Sequence, residues 1–101
     1  KENCPDLRNS KVVDIVHGLG RYGARVDVHD PWVDPAEAEA ELGVRVLSRL
    51  GRVRYDAIIV AVGHREFLDL GIASLRRRLK DEGVIYDVKH LFPRAAVDGR
   101  L

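Results

Sequence analysis

The 101 residues are 46% hydrophobic and 33% charged, the balance of a folded chain with room for one modest core rather than of a disordered one. A net charge of +1 gives no global attraction to nucleic acid or to an anionic membrane, and no apolar run approaches the roughly 20 residues that span a bilayer. The single cysteine, Cys4, excludes an intrachain disulfide and fits a reducing, cytoplasmic setting.

The first predicted element is a helix from about Asn9 to Tyr22, where Val12, Val13, Ile15, Val16, Leu19 and Tyr22 recur at helical spacing. Asn9 or Ser10 can cap it, Asp14 suits the positive end of its dipole, and Gly23 is a natural stop. A strand is expected over residues 24–29, with Ala24, Val26 and Val28 alternating against Arg25, Asp27 and His29. Asp30-Pro31 breaks it. Pro35 to Leu42, rich in Ala and Glu, predicts a short helix with Asp34 as cap, Pro35 in the first turn and Gly43 as its end. Val44 to Leu47 predicts a short edge strand, and residues 48–54, with three arginines, a loop or a ragged helix.

Ala57 to Val62 is apolar at every position, which predicts a central parallel strand covered on both faces and ended by Gly63-His64. A helical turn over Glu66 to Leu70 and a helix over Ile72 to Glu82 follow, with Leu75 and Leu79 inward and Gly83 as the stop. Val84 to Val88 predicts another buried strand, and from Phe92 onward no pattern emerges. The alternation implies an α/β fold, a Rossmann-like, three-layer, doubly wound parallel sheet, with residues 1–101 as a single domain. The chain opens on helix-cap chemistry, starts abruptly at Lys1 and contains no methionine. It is therefore expected to be a piece of a larger protein with its first strand truncated.

Ligands gather at the carboxyl ends of strands in such sheets, and Lys1, His29-Asp30, Gly63-His64 and Asp87 to Lys89 fall there. Lys1 with Asp6, Arg8 and Ser10 places a lysine at a strand end before a helix N-terminus, a setting that suits phosphate. The same residues also read as a capped helix in which Asp6 and Arg8 pair locally. His64 reads either as a site residue or, with Arg65, as a cap for the following turn. His29 and Asp30 can hydrogen-bond around the Asp-Pro-Trp turn with Trp32 packed across it, whereas His17 belongs on a solvated helix face. Cys4 reads as an ordinary thiol, with only Lys1 near it in sequence to activate it. No clustered Cys/His spacing suggests a structural zinc or other metal site. Arg76-Arg77-Arg78 with Lys80 spreads around a helix without interleaved aromatics, which suits a neighbouring domain or subunit better than nucleic acid. The run GLGRYG has the glycines of a dinucleotide loop, but it ends a helix before a strand, the wrong context for that fingerprint.

The segments KENCPDLRNSKVVDIV, GARVDVHDPWVDP, YDAIIVAVGHREF and VIYDVKHLF occur in the order and spacing that resemble the C-terminal domain of the UDP-glucose/GDP-mannose dehydrogenase family. The wording around Cys4 and the Asp87-Val88-Lys89 run is most similar to its UDP-N-acetylhexosamine dehydrogenases of surface polysaccharide and lipopolysaccharide synthesis. The resemblance implies an oxidoreductase with an N-terminal Rossmann domain that holds NAD, a long central helix used in homodimerisation, and a C-terminal domain that holds the UDP portion of the substrate. It also implies a cysteine in the preceding part that forms a thioester during two successive hydride transfers, with a UDP-sugar uronic acid as product. On this resemblance the 101 residues bind UDP-sugar and carry no catalytic residue, so the fragment alone is not catalytic. Lys1 matches the motif lysine expected to contact the nucleotide sugar. Lys89, with His90 beside it, lies where the family carries a basic residue after the last strand's aspartate, here Asp87, although some relatives have paired arginines there. Asp6 and Arg8, with Ser10 of the same motif, match positions that organise the loop rather than touch ligand. N-acetylglucosamine and N-acetylgalactosamine both stay open as the sugar. A freestanding α/β binding or regulatory module is the other class, although a receiver would want a mid-sheet aspartate that Ala57 to Val62 does not offer.

Overall fold

The computed structural model describes residues 11–101, so the readings placed on Lys1, Cys4, Asp6, Arg8, Asn9 and Ser10 lie outside the described residues. The described chain divides between Leu50 and Gly51 into two compact units. Both are built of parallel strands joined through helices, a Rossmann-like α/β arrangement.

In the first unit, α1 (Val12–Arg21) is amphipathic and packs Val12, Val13 and Val16 against the unit's core. Gly23, at φ 83°, closes the helix: its N–H donates to Gly20 at 3.0 Å and that of Ala24 to Leu19 at 3.1 Å. This pair of back-bonds needs a left-handed residue, which glycine supplies without strain. Next, β1 (Val28–His29), α2 (Pro35–Leu42) and β2 (Val46–Leu47) form a parallel crossover with Val28 opposite Val46 and His29 opposite Leu47. The bounds of α2 are those its sequence predicts. Asp34 accepts from the N–H of Ala36 at 3.0 Å, Pro35 opens the first turn, and Gly43 ends it at φ 64°. The strand expected over 24–29 pairs only at its last two residues, because β2 offers just Val46 and Leu47 to the ladder. Side-chain alternation alone does not make a strand; backbone partners do. The unit's core is Ala38, Val44 and Val46, with Val28, Val33 and Leu42 against it.

The second unit contains β3 (Tyr55–Val60), α3 (Arg65–Leu70), α4 (Ile72–Arg77), β4 (Leu79–Asp87), a single 3-10 turn (Arg94–Ala96) and β5 (Gly99–Arg100). The strands lie in the order β3-β4-β5, all parallel. Gly71 separates α3 from α4 at φ 85° and ψ 154°, a region essentially restricted to glycine. Val60, Leu75, Leu79, Ile85 and Phe92 form the core. Removing the side chain of Ile85 from water completely contributes about 1.5–3 kcal/mol.

Three sequence readings change here. The helix expected over 72–82 stops at Arg77, and Leu79 turns inward from a strand instead. The guanidinium of Arg78 folds back onto Ser74, donating to its carbonyl at 3.0 Å and its hydroxyl at 2.6 Å. The N–H of Tyr55 then takes the carbonyl of Arg78 at 2.9 Å, so the sheet captures the chain before another helical turn can form. Gly83 is consequently not a helix stop. From Tyr55 to Ala57 the partner strand runs from Leu79 to Val84, so β4 bulges, and a Cβ on Gly83 would lie 2.9 Å from that of Leu79. Third, the described residues of this unit cover its sheet on one face. Residues from α4 and from the β4–β5 connection pack on the side of Ile58, Val60 and Ile85, while Ala57, Ile59, Val84 and Tyr86 on the other side are exposed.

The tail that lacked a pattern is held by Asp98. Its N–H donates to the carbonyl of Ile85 at 2.9 Å, and its carboxylate accepts from the N–H of Ile85 at 2.8 Å. Arg76 donates to the same carboxylate oxygen at 2.8 Å and to the carbonyl of Ala96 at 2.9 Å. The backbone bond from Ile85, then the bond from Arg76, hold the Asp98 carboxyl below its ordinary pKa. A group whose folded pKa is lowered stabilises the fold above its unfolded pKa, about 3.9 for aspartate, and that stability is lost as pH falls through the folded value. Melting temperatures followed from about pH 6 down to about pH 3 should therefore fall more steeply for the natural protein than for Asp98→Asn. Parallel curves would remove Asp98 from the acid response.

Candidate functional site

Parallel pairing of β3 with β4 sets Val60 opposite Asp87, and the N–H of Val88 continues the ladder to Val60 at 2.9 Å. The segments leaving these two strands, Gly63-His64 and Val88 to His90, therefore emerge from neighbouring positions on one sheet edge. It is the carboxyl edge, where ligands bind in open α/β sheets.

Asp87 is completely buried at this edge. Its two carboxylate oxygens accept from the N–H of Leu91 at 3.1 Å and of Phe92 at 2.9 Å, and Phe92 is itself in the core. Burying a carboxyl group is costly unless such bonds satisfy it, so the side chain and the turn it ties fix each other. The turn brings three of the sequence-predicted site residues together. Asp87 forms its base, Lys89 is exposed on it, and His90 takes a left-handed φ of 56°. The His90 ring bonds through Nε2 to the carbonyl of Leu101, whereas Lys89 offers a compact positive charge to solvent. Lys1, Asp6, Arg8 and Ser10, which complete the predicted set, lie outside the described residues.

On the neighbouring segment His64 is also completely buried. It occupies the cap position of α3, its carbonyl accepts from the N–H of Phe67 at 3.1 Å, and its ring lies 5.4 Å from that of Phe67 at 50°. In the first unit, His29 bonds the carbonyl of Leu47 at 2.9 Å, and buried Asp30 accepts from the N–H of Trp32 at 2.9 Å to form the turn. His17 is exposed on α1. The basic triplet is partly consumed within its own unit, since Arg76 serves Asp98 and Arg78 serves Ser74, while Arg77 is exposed. The Asp98 and Arg76 contact escaped the sequence reading because the two are 22 residues apart and no periodicity marks the tail.

Gly18 and Gly20 lie inside α1 and Gly23 just beyond it, so GLGRYG forms no strand-to-helix turn on which a dinucleotide pyrophosphate would sit. Those residues do not fit NAD. Among the described residues no group of three or more His, Cys, Asp or Glu side chains is placed to hold a metal ion, and no helix is long and apolar enough to cross a membrane.

Residues 1–94 match the model of the UDP-glucose/GDP-mannose dehydrogenase family, UDP binding domain. The chain belongs to this family. Over all 101 residues it is 46% identical to the UDP-N-acetyl-D-glucosamine 6-dehydrogenase of Salmonella typhi and 48% identical to that of Pseudomonas aeruginosa. It is 35% identical to Protein CapL of Staphylococcus aureus over 89 residues, 88% of the chain. The chain spans 24% of the length of the first two relatives and 21% of the third. Asp87 and Lys89 both fall within the stretch matched to the UDP binding domain.

Replacing Asp87 with alanine leaves the amides of Leu91 and Phe92 without their acceptor and should destabilise the family's fold here by at least about 2 kcal/mol. Asp87→Asn, which keeps one acceptor oxygen, should lose less. Urea unfolding checks both, and an unchanged midpoint for Asp87→Ala would contradict the role given to these bonds.

Proposed function

We propose that these 101 residues are the UDP-sugar-binding, C-terminal domain of an NAD-dependent UDP-N-acetylhexosamine 6-dehydrogenase, with UDP-N-acetylglucosamine as the sugar nucleotide. The observation that carries this reading is 46–48% identity along the whole chain to two enzymes bearing that activity in their names. The parent enzyme oxidises the C6 hydroxyl to the carboxylate of a UDP-sugar uronic acid, for surface polysaccharide synthesis in the cytoplasm. When bound, NAD is the hydride acceptor, and its site belongs to an N-terminal domain that these residues do not form. The parent acts as a homodimer.

Within this reading the chain's own residues bind and orient. Lys89 meets the negative charge of the diphosphate, on a turn already set by Asp87 before substrate arrives. By its place in the family's motif, Lys1 is also a contact to the nucleotide sugar, with Asp6, Arg8 and Ser10 as its accompanying motif residues. Holding UDP in one place lowers the entropic cost of presenting sugar C6 to the reacting groups. His90, whose ring bonds the Leu101 carbonyl, flanks the same turn.

The test is NAD reduction by the full-length parent protein, given UDP-N-acetylglucosamine, UDP-N-acetylgalactosamine, UDP-glucose and GDP-mannose separately. Turnover is expected with UDP-N-acetylglucosamine, at two NADH per sugar. Preference for N-acetylgalactosamine would correct the sugar alone. Silence with all four, from a folded protein that binds NAD, would leave the chain as a binding module without the reaction.

A further inference from the structure

The largest fully buried side chains among the described residues are those of Ile85, His64, Val44 and Asp87. Ile85 and Val44 are core aliphatics, as burial of apolar surface requires. The other two are polar, and both stand at the carboxyl edge of the second unit's sheet, one after β3 and one at the end of β4. The burial of Asp87 is accounted for by the turn that it ties. For His64, packing alone is a poor account. Its imidazole has polar edges as well as faces, so it can orient the segment that it packs within, which an aliphatic side chain cannot.

His64 is locked to Phe67 twice, through its ring and through its carbonyl, so the segment between them has little freedom. That segment leaves β3 opposite the point where Asp87 begins the Lys89 turn, because Val60 and Asp87 are register partners. A site formed at this edge is flanked by two segments, one tied by the buried Asp87 carboxylate and the other carrying the buried His64 ring packed on Phe67. Walls fixed before binding spare the ligand the entropy of ordering them.

We propose that His64 is a positioning residue for the nucleotide-sugar site, holding the segment from Gly63 to Phe67 in place beside the Lys89 turn. This rests on the UDP-sugar reading above. It makes the edge a two-sided cleft for a nucleoside diphosphate rather than one lysine on a surface turn.

In the full-length enzyme, His64→Leu should raise the KM for the UDP-sugar by about tenfold or more, the scale for a misplaced positioning group. The KM for NAD and the kcat at saturating sugar should stay near their natural values. His64→Asn, which restores a polar group, should recover part of the loss. In the natural enzyme, added UDP should slow amide exchange over both 63–68 and 88–92. A folded His64→Leu enzyme with an unchanged sugar KM would overturn the assignment, as would equal losses for sugar, NAD and kcat. If His64→Leu does not fold, the exchange experiment decides, and protection confined to 88–92 rejects the role of His64 alone. A natural enzyme that does not bind UDP at all would remove the UDP-sugar reading and this inference together.

Discussion

The carboxylate of Asp87 governs the edge of the second unit. It sits at the last position of β4, out of water, and both of its oxygens are taken by backbone N–H groups four and five residues further on. Two consequences follow from that one side chain. The chain is forced into a tight turn, which leaves Lys89 exposed at the sheet's carboxyl edge, and Phe92 is delivered into the core beside Ile85. Packing and display are therefore the same event. An apolar residue at 87 would let Phe92 bury itself from many chain directions, but it would not specify which one.

A second aspartate does related work with different exposure. Asp98 substitutes its side chain for a ladder acceptor, taking the N–H of Ile85 while its own N–H returns to the Ile85 carbonyl. Arg76 adds a charge-assisted bond to the same oxygen, linking α4 to the tail. Because this pair is open to solvent, its worth is limited by water and salt. Asp87, shielded from both, sets the geometry, and Asp98 secures the strand beside it. The unit thus offers a fixed edge with a lysine on it, a suitable base for the proposed diphosphate contact.

Local signals were legible in the sequence where local chemistry decides the outcome. Asp34, Pro35 and Gly43 bound α2 as written, and Gly23 closes α1, because caps and left-handed turns depend on a few adjacent residues. The helix predicted over 72–82 failed for the opposite reason. Residues 78–82 are acceptable in a helix, but Tyr55, more than 20 residues earlier in the chain, captures the carbonyl of Arg78 and starts a strand. The strand predicted over 24–29 shrinks to Val28–His29 because its partner is short, which no side-chain pattern reveals. Full burial of the Ala57 to Val62 strand was inferred from apolarity alone, and apolarity does not state which faces are covered. The glycine-rich run was set aside for its place at a helix end before a strand, and Gly18 and Gly20 lie within α1. Asp87 and Lys89 were marked by their place at a strand's carboxyl end and by resemblance to a family, but nothing in their spacing announces that a carboxylate will hold the amides four and five residues on.

The most direct test of the account is calorimetric titration of UDP into the full-length protein and into Lys89→Ala, each at low and at moderate salt. The variant should bind UDP more weakly by about 1.5–3 kcal/mol, the range for a charged hydrogen bond. Its affinity should also respond less to salt, because a screened phosphate contact has been removed. Equal affinity and equal salt response in the two proteins would place the diphosphate away from the Lys89 turn and contradict the central claim.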